Sequence, residues 1–281
     1  MVTQIIPKTL EEIKEVRLKE KELEKIAPTT GYTDLDRLIK GFVPGHLYTL
    51  TGDSNIGKSS LASNFAVNVA KQGKHVLYVA LEPENTIIDY MASVVTDKTF
   101  DELTPDDLNF DIKIDIFGKE NVPSLERLLF LIKSLPRYDL IIVDHIGYFI
   151  TSQNNYLQQQ SNSIKQLVGI AKEMKTAIMI IAHLRKRGKG DKKAYVPTSD
   201  DISGSGAFKQ DSTEVLIATR GMKSDDPDEV QYSNEGHLYV TKTKCGPNGR
   251  IPLGFSERKA KITSGSEFDS TIQEIFGSVP S

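Results

Sequence analysis

From Gly41 onward, short apolar runs rich in β-branched residues alternate with longer stretches of helical spacing. Alternation of this kind predicts right-handed crossovers and a mostly parallel sheet with helices on both faces. The predicted strands are residues 47–51, 75–81, 113–117, 140–144, 177–182 and 214–218, and the predicted helices are residues 59–72, 124–135 and 158–175. The fold class is therefore α/β.

Two later apolar runs, residues 237–244 and 250–255, are joined by Cys-Gly-Pro-Asn-Gly at 245–249. This turn-forming pentapeptide predicts a hairpin that adds an antiparallel edge to the sheet. The chain then divides into a charged helical arm (1–28), an α/β core domain (29–261) and an acidic, flexible tail (262–281).

The arm carries six basic and six acidic side chains and an apolar stripe of Leu10, Ile13, Val16, Leu23 and Ile26. The spacing predicts an exposed helix that ends by Pro28. Such a helix either lies on its own domain or docks on a neighbouring subunit.

Composition excludes a chain that is disordered throughout, since 38% of the residues are apolar and 26% are charged. One cysteine cannot form an intramolecular disulfide, and neither a signal peptide nor a membrane-length apolar run is visible. We therefore expect no membrane partner and a reducing compartment, such as the cytoplasm of a bacterial or phage-infected cell. The net charge of −3 argues against a generally basic nucleic-acid coat but permits a local basic patch.

The first predicted strand leads directly into the pattern G-x-x-x-x-G-K-[ST], followed by a predicted helix. Its residues are Gly52, Asp53, Ser54, Asn55, Ile56, Gly57, Lys58 and Ser59, with Ser60 next in the chain. Glycines let backbone N–H groups curl around phosphates, the lysine reaches the β- and γ-phosphates, and the serine hydroxyl ligates Mg²⁺. The segment predicts a nucleotide-binding P-loop.

Polar residues end three other predicted strands, where open α/β sheets place their ligands. Asp144 suits the Walker-B role of holding Mg²⁺, and Glu82, taken to lie beside the P-loop strand, suits activation of the attacking water. His183 is a candidate γ-phosphate contact or sensor, and His145 is a weaker one. Mg²⁺ is the only metal predicted, since Cys245 and the five histidines lack zinc-ligand spacing.

Directly after His183, residues 185–193 contain six basic side chains against one acidic side chain. Arg185, Lys186, Arg187 and Lys189 belong to this run, which is either an ordinary solvated surface or a polyanion-binding loop coupled to hydrolysis. Gly204 and Ser205 then offer backbone N–H groups for phosphate binding, with Lys209 close by.

With these residues in place, the chain resembles the hexameric replicative helicases over about residues 31–255. It is similar to the DnaB C-terminal domain and, more closely, to the helicase half of phage primase–helicases and mitochondrial Twinkle. The matching segments beside the P-loop are YTDLD (32–36), GFVPG (41–45), LE (81–82), VDHI (143–146), IIAHL (180–184) and GSGAFKQD (204–211).

The resemblance implies a RecA-like ATPase core in a ring, with ATP between subunits and single-stranded DNA in the central channel. By position, the resemblance assigns Mg–ATP binding to Lys58, Ser59 and Asp144, water activation to Glu82 and γ-phosphate sensing to His183. It also gives DNA contacts to Arg185, Lys186, Gly204 and Lys209, and adenine contacts to Arg220 and Phe255. Composition makes the acidic tail (262–281) a plain flexible terminus or, as the alternative, a contact for a polymerase or primase.

The chain departs from the family pattern at Lys242-Thr243-Lys244, where relatives have Lys-x-Arg with an arginine finger that enters the neighbour's site, and Lys242 is a candidate nucleotide contact. A lysine supplies charge but not a planar bidentate fork. Either Lys244 replaces the arginine, or Arg250 does, or hydrolysis is slow. Ser203 also stands where relatives have an arginine that contacts DNA.

Three functions are compatible with these residues. The first is an ATP-dependent ring helicase that moves 5′ to 3′ on single-stranded DNA, as the resemblance implies. The second is a RecA/RadA-type or clock-type ATPase that remodels a complex without unwinding duplex. The third is a nucleotide-gated module, such as a helicase loader.

Overall fold

The computed structural model describes residues 9–81, 83–150, 155–183, 205–222 and 232–265. The helices are α1 Leu10–Ile26, α2 Thr33–Ile39, α3 Lys58–Lys71, α4 Glu84–Thr96, α5 Leu125–Ser134, α6 Tyr156–Met174 and α7 Ser205–Asp211. The strands are β1 Leu47–Gly52, β2 Val76–Ala80, β3 Ile114–Phe117, β4 Leu140–Asp144, β5 Ala177–His183, β6 Glu214–Met222, β7 Tyr232–Lys242, β8 Gly249–Gly254 and β9 Thr263–Ser264. Short 3₁₀ helices cover Phe100–Glu102, Pro105–Leu108 and Ile146–Phe149.

The nine described strands form one sheet in the order β3-β2-β4-β5-β1-β6-β7-β8-β9. The strands from β3 to β6 pair in parallel, and β7, β8 and β9 continue the sheet as antiparallel strands. The predicted fold class is confirmed, including the antiparallel edge.

Both faces of the parallel strands are buried, which explains their unbroken apolar runs. In β4, Leu140 and Ile142 belong to the core on the face covered by α2, α3 and α4, whereas Ile141 and Val143 belong to the core on the face covered by α5, α6 and α7. Strand alternation thus divides one apolar segment between two layers. The carboxyl ends of these strands are fixed at one edge of the sheet.

Helix α4 is not among the helices that the sequence predicts. Its buried face follows helical spacing through Ile87, Met91 and Val94, but β-branched residues make the segment a weak helix former. The sequence prediction also starts β7 five residues late and ends β6 four residues early.

The helix predicted in the arm forms as α1. A capping box between Thr9 and Glu12 begins it, and none of its residues is buried. The apolar side chains are exposed by between 44% and 72% at Leu10, Ile13, Val16, Leu18 and Ile26.

The sheet continues past residue 261, where the sequence prediction begins the flexible tail. Ile262 is buried and its N–H donates to Asn64 Oδ1 at 3.0 Å, and Thr263–Ser264 pairs with β8. The first residues of the predicted tail therefore belong to the domain, and residues 266–281 lie outside the described residues. Within the described part of the chain, no helix is both long and apolar enough to cross a membrane.

Candidate functional site

The ends of β1, β4 and β5 meet at one cavity, as predicted for the carboxyl edge of a parallel sheet. The pairing of β1 with β5 places Gly52 beside His183, and β5 in turn pairs with β4. The cavity has a volume of about 380 Å³ and is lined by Ser54, Asn55, Gly57, Lys58, Ser59, Ser60, Tyr90, Asp144, His145, Ile181 and His183.

The loop between β1 and α3 needs glycine at both of its motif positions. A Cβ at Gly52 would lie 2.6 Å from the carbonyl oxygen of Ala218 and would also collide with the Ile56 side chain. Gly57 has a φ of +96° and lies where a Cβ would come within 3.3 Å of Phe255 Cε1. Ile56 anchors the loop because its side chain is buried in the core. Sterics thus fix a tight turn that begins α3 at Lys58.

Lys58 is only 7% exposed. Its ammonium group donates to the carbonyl oxygens of Gly52 at 3.1 Å and Asp53 at 2.7 Å. The positive charge is therefore held against the backbone of the loop, beside the N-terminus of α3, where an anion is favoured.

The two serines that follow Lys58 differ in their hydrogen bonds. Ser59 lines the cavity and is half-buried. Ser60 Oγ donates to the carbonyl oxygen of Ala260 at 2.9 Å, so this hydroxyl holds the C-terminal segment. Ser59 is consequently the better metal ligand of the two, and Ser60 contributes to the cavity wall.

Asp144 ends β4 and is 2% exposed. Its Oδ2 accepts a hydrogen bond of 2.9 Å from the Tyr78 hydroxyl on β2. This tyrosine orients the carboxylate, and the sequence analysis missed it, because only the strand register shows that the two side chains meet.

Two histidine rings stand together at the cavity, with centroids 4.7 Å apart in an edge-to-face arrangement. They belong to His145, which follows β4, and His183, which ends β5. His183 is exposed at the cavity, which suits a group that contacts a phosphate. Tyr90 of α4 lines the same cavity and is absent from the sequence prediction.

Arg220 and Phe255 lie together, with the guanidinium carbon 4.5 Å from the ring centroid. The Phe255 ring also lies against the loop at Gly57. Tyr232 completes this cluster, since its hydroxyl donates to the carbonyl oxygen of Ser54 at 3.0 Å and its ring lies 5.7 Å from Arg220. Burial raises the pKa of Tyr232 and lowers the pKa of Arg220. Tyr232 is absent from the sequence prediction, because nothing in the sequence shows that β7 begins there.

The predicted basic residues Lys209, Lys242 and Lys244 lie away from this cavity. Lys242 Nζ donates to the carbonyl oxygens of Lys209 and Gln210, at the end of α7. Lys244 follows the end of β7, close to the first residue of β6. Because β7 runs antiparallel to β1, its carboxyl end lies at the opposite edge of the sheet from the loop. Within one chain, Lys242 therefore lies away from the P-loop, and its part in nucleotide binding stays a prediction.

Several predicted residues lie outside the described residues: Glu82, Arg185, Lys186, Arg187, Lys189, Ser203 and Gly204. Ser205 is described only as the first residue of α7. Glu82 comes after β2 in the sequence, and β4 and β5 lie between β2 and the P-loop strand β1. The expectation that the strand before Glu82 lies beside the P-loop strand is therefore wrong.

The donor set around the cavity fits a nucleotide with Mg²⁺. A buried lysine and a helix N-terminus would hold phosphates here, while a serine hydroxyl and a carboxylate would supply the hard oxygen ligands that Mg²⁺ prefers. Fold and site together define a P-loop nucleotide-binding domain with a RecA-like arrangement of strands.

The chain belongs to the family of the DnaB-like helicase C-terminal domain, whose model matches residues 28–264. It is 28% identical to the replicative DNA helicase DnaB of Mycoplasma genitalium over 84% of this chain and 56% of that protein. It is 23% identical to the replicative DNA helicase DnaC of Bacillus subtilis over 94% of this chain and 62% of that protein. The chain thus spans little more than half the length of these relatives.

Solved structures support the same fold. A DnaB-like replicative helicase, described with its interactions with primase, superposes with a TM-score of 0.74 and 18% identity over 92% of this chain and 67% of that one. A second solved structure, an isolated ATPase domain, superposes with a TM-score of 0.74 and 18% identity over 93% of this chain and 100% of that domain. The DnaB resemblance is confirmed, and the closer likeness to phage primase–helicases and Twinkle stays a prediction.

Proposed function

We propose that this chain is the motor domain of an ATP-dependent DNA helicase that forms a hexameric ring and moves 5′ to 3′ on single-stranded DNA. The observation that carries the proposal is the cavity in which the P-loop, Asp144 and His183 meet in a chain of the DnaB-like family. Hydrolysis at this cavity would drive movement along DNA and separation of a duplex at a replication fork.

Each residue of the site is proposed to have a separate role in ATP hydrolysis. Lys58 and the loop N–H groups hold the phosphates, and Ser59 and Asp144 hold Mg²⁺, which neutralises charge on the phosphate oxygens when it is bound. Tyr78 keeps the Asp144 carboxylate in position through its hydroxyl. Glu82 takes a proton from the attacking water, and His183 contacts the γ-phosphate. Arg220, Tyr232 and Phe255 form the wall for the base.

A neighbouring subunit is needed to complete this site. Lys244 lies at the opposite edge of the sheet from the loop of its own chain, so it reaches a nucleotide only across a subunit interface. It supplies the positive charge that an arginine supplies in relatives, with Arg250 as the alternative. A head-to-tail interface of this kind forms a ring when the rotation between subunits closes.

DNA is proposed to contact the basic run after β5 and the start of α7, with residues Arg185, Lys186, Arg187, Lys189, Gly204, Ser205 and Lys209. The run begins two residues after His183, so the group proposed to contact the γ-phosphate is joined by a short segment to the proposed DNA contacts. Residues 266–281 are proposed as the contact for a polymerase or primase, and a solved DnaB-like relative is described with its interactions with primase.

Strand separation tests the proposal. We expect the chain to unwind a forked DNA duplex with ATP, and its hydrolysis to rise with single-stranded DNA and cooperatively with protein concentration. The variant Arg185→Ala/Lys186→Ala should bind single-stranded DNA more weakly, with a salt slope flatter by about 0.7 for each lost phosphate contact.

The matched control is Lys113→Ala/Lys133→Ala, which removes two exposed lysines elsewhere on the domain. A salt slope unchanged in the first double variant contradicts the DNA assignment. DNA-stimulated hydrolysis without unwinding favours a RecA/RadA-type remodeller, and hydrolysis indifferent to DNA favours a loader.

Helix α1 is proposed as the arm that docks on the neighbouring subunit, because its apolar side chains are exposed on its own chain. We expect deletion of residues 1–28 to shift the protein from ring to monomer in sedimentation or sizing experiments. The control is Glu11→Gln/Glu15→Gln, which changes charge on the helix but keeps the apolar stripe. Rings that persist after the deletion contradict this role for the arm.

A further inference from the structure

A second cluster of chemically reactive side chains lies at the other edge of the sheet, and we name His46, Glu214 and Cys245 the HEC cluster. His46 directly precedes β1, Glu214 begins β6, and Cys245 lies shortly after β7. The ligand atoms of all three residues lie within 4.8 Å of one another. Because His46 and Glu214 lie 168 positions apart, and Glu214 and Cys245 lie 31 positions apart, sequence spacing could not reveal the cluster.

The separations between the donor atoms agree with those of ligands that share one metal ion. His46 Nδ1 lies 3.2 Å from Glu214 Oε1, and Cys245 Sγ lies 3.7 Å from the same oxygen and 4.0 Å from His46 Nδ1. Ligands of a tetrahedral zinc ion stand about 3.3 Å (N to O), about 3.5 Å (S to O) and about 3.6 Å (S to N) apart. Shifts of a few tenths of an ångström would bring the three atoms to those positions.

Glu214 gives the second, independent sign of a bound cation. Its side chain is completely buried, and Oε2 has no hydrogen-bond partner among the described residues. Its other oxygen faces the imidazole and the thiol, and the backbone N–H of Lys244 also donates to the carboxylate. A buried carboxylate is costly unless positive charge or further hydrogen bonds compensate it.

Other charged groups surround the cluster at longer range. Lys242 interacts with Glu214 electrostatically, but its ammonium group donates to two carbonyl oxygens of α7. Arg17 and Glu24 of α1, which carry opposite charges, both interact electrostatically with Cys245. Without a metal ion, His46 Nδ1 and Glu214 Oε1 contact each other directly.

We propose that the HEC cluster is a binding site for a transition-metal dication of the zinc class, with His46 Nδ1, Glu214 and Cys245 Sγ as ligands. One nitrogen, one sulfur and one oxygen donor suit zinc or cobalt, and the sulfur donor disfavours Mg²⁺ and Ca²⁺. His46 and Cys245 are partly exposed, so a metal ion can enter, and a water molecule supplies the fourth ligand. The bound ion joins the segment before β1, the start of β6 and the turn between β7 and β8.

Cobalt spectroscopy on the full chain tests the proposal directly. The protein is stripped with a chelator, kept under a phosphine reductant and supplied with excess Mg²⁺, and Co²⁺ is then titrated. Because the chain contains one cysteine, a thiolate-to-cobalt charge-transfer band reports Cys245 alone. We expect this band to saturate at one equivalent, to disappear on addition of Zn²⁺, and to accompany a rise in the melting temperature.

Two variants and a matched control separate metal binding from general effects. Cys245→Ser should abolish the band, and His46→Gln, which removes a direct ligand, should weaken Co²⁺ and Zn²⁺ binding by more than the roughly 10-fold to 100-fold that loss of an outer-shell partner costs. His75→Gln is the control, because His75 also pairs with a carboxylate, Asp115 at 3.0 Å, but has no thiol beside it among the described residues. A wild-type protein without the band, or a Cys245→Ser variant that binds Zn²⁺ as tightly as wild type, overturns the proposal.

Discussion

Replacing Lys58 with alanine is expected to reduce ATP hydrolysis by a factor on the order of 10²–10³, because the variant lacks the charge that stabilises the transferred phosphoryl group. The ammonium group belongs to a nearly buried side chain and lies beside the N-terminus of α3, where a phosphate is favoured. Steady-state phosphate release at saturating ATP, with and without single-stranded DNA, measures the loss.

Lys58→Ala should fold like the wild-type protein, so a loss of ATP hydrolysis can be assigned to the missing ammonium group. The Lys58 ammonium donates to carbonyl oxygens of its own loop, and the turn itself is fixed by Gly52, Gly57 and the buried Ile56. We expect the melting temperature of Lys58→Ala to stay within a few degrees of wild type.

Two further variants make the assignment specific. Lys71→Ala removes an exposed lysine from the last turn of the same helix and should hydrolyse ATP at the wild-type rate. Lys58→Arg keeps the charge but replaces a compact ammonium with a broad planar group in a tight loop, so it should rescue little activity. Activity of Lys58→Ala within a few-fold of wild type would place hydrolysis outside this loop.

The sequence predicts those parts of the structure that local chemistry determines. The P-loop is visible because its glycines, lysine and serine stand in one segment, and β4 is visible because a strand buried on both faces has no polar alternation. Asp144 can be placed at the cavity for the same reason, since it is the first polar residue after that run.

The residues that sequence reasoning missed depend on contacts between distant segments. Tyr78 meets Asp144 only through the register of β2 and β4, and Tyr232 reaches Ser54 across 178 positions of the chain. The position of Lys242 could have been derived, because the carboxyl end of an antiparallel strand lies at the amino edge of a parallel sheet.

Replacing Asp144 with asparagine is expected to reduce Mg²⁺-dependent ATP hydrolysis without reducing the stability of the fold. The change removes the charge that binds Mg²⁺, so we expect hydrolysis to fall by a factor on the order of 10²–10³. Nucleotide binding without Mg²⁺ should persist, because the loop and Lys58 are unchanged. Titration of a fluorescent ADP analogue with and without Mg²⁺ measures this difference.

Folding stability should stay level or rise in Asp144→Asn, because a buried charge is replaced by a neutral group of the same shape, and Tyr78 can still donate to its carbonyl oxygen. Asp115→Asn is the matched control: this carboxylate also accepts a tyrosine hydroxyl, from Tyr138 at 2.7 Å, but lies on β3 away from the cavity. The control should keep wild-type hydrolysis and the wild-type response to Mg²⁺. If Asp144→Asn keeps that response as well, Asp144 is a structural partner of Tyr78, and the metal ligand must be sought among other carboxylates of the chain, Glu82 first.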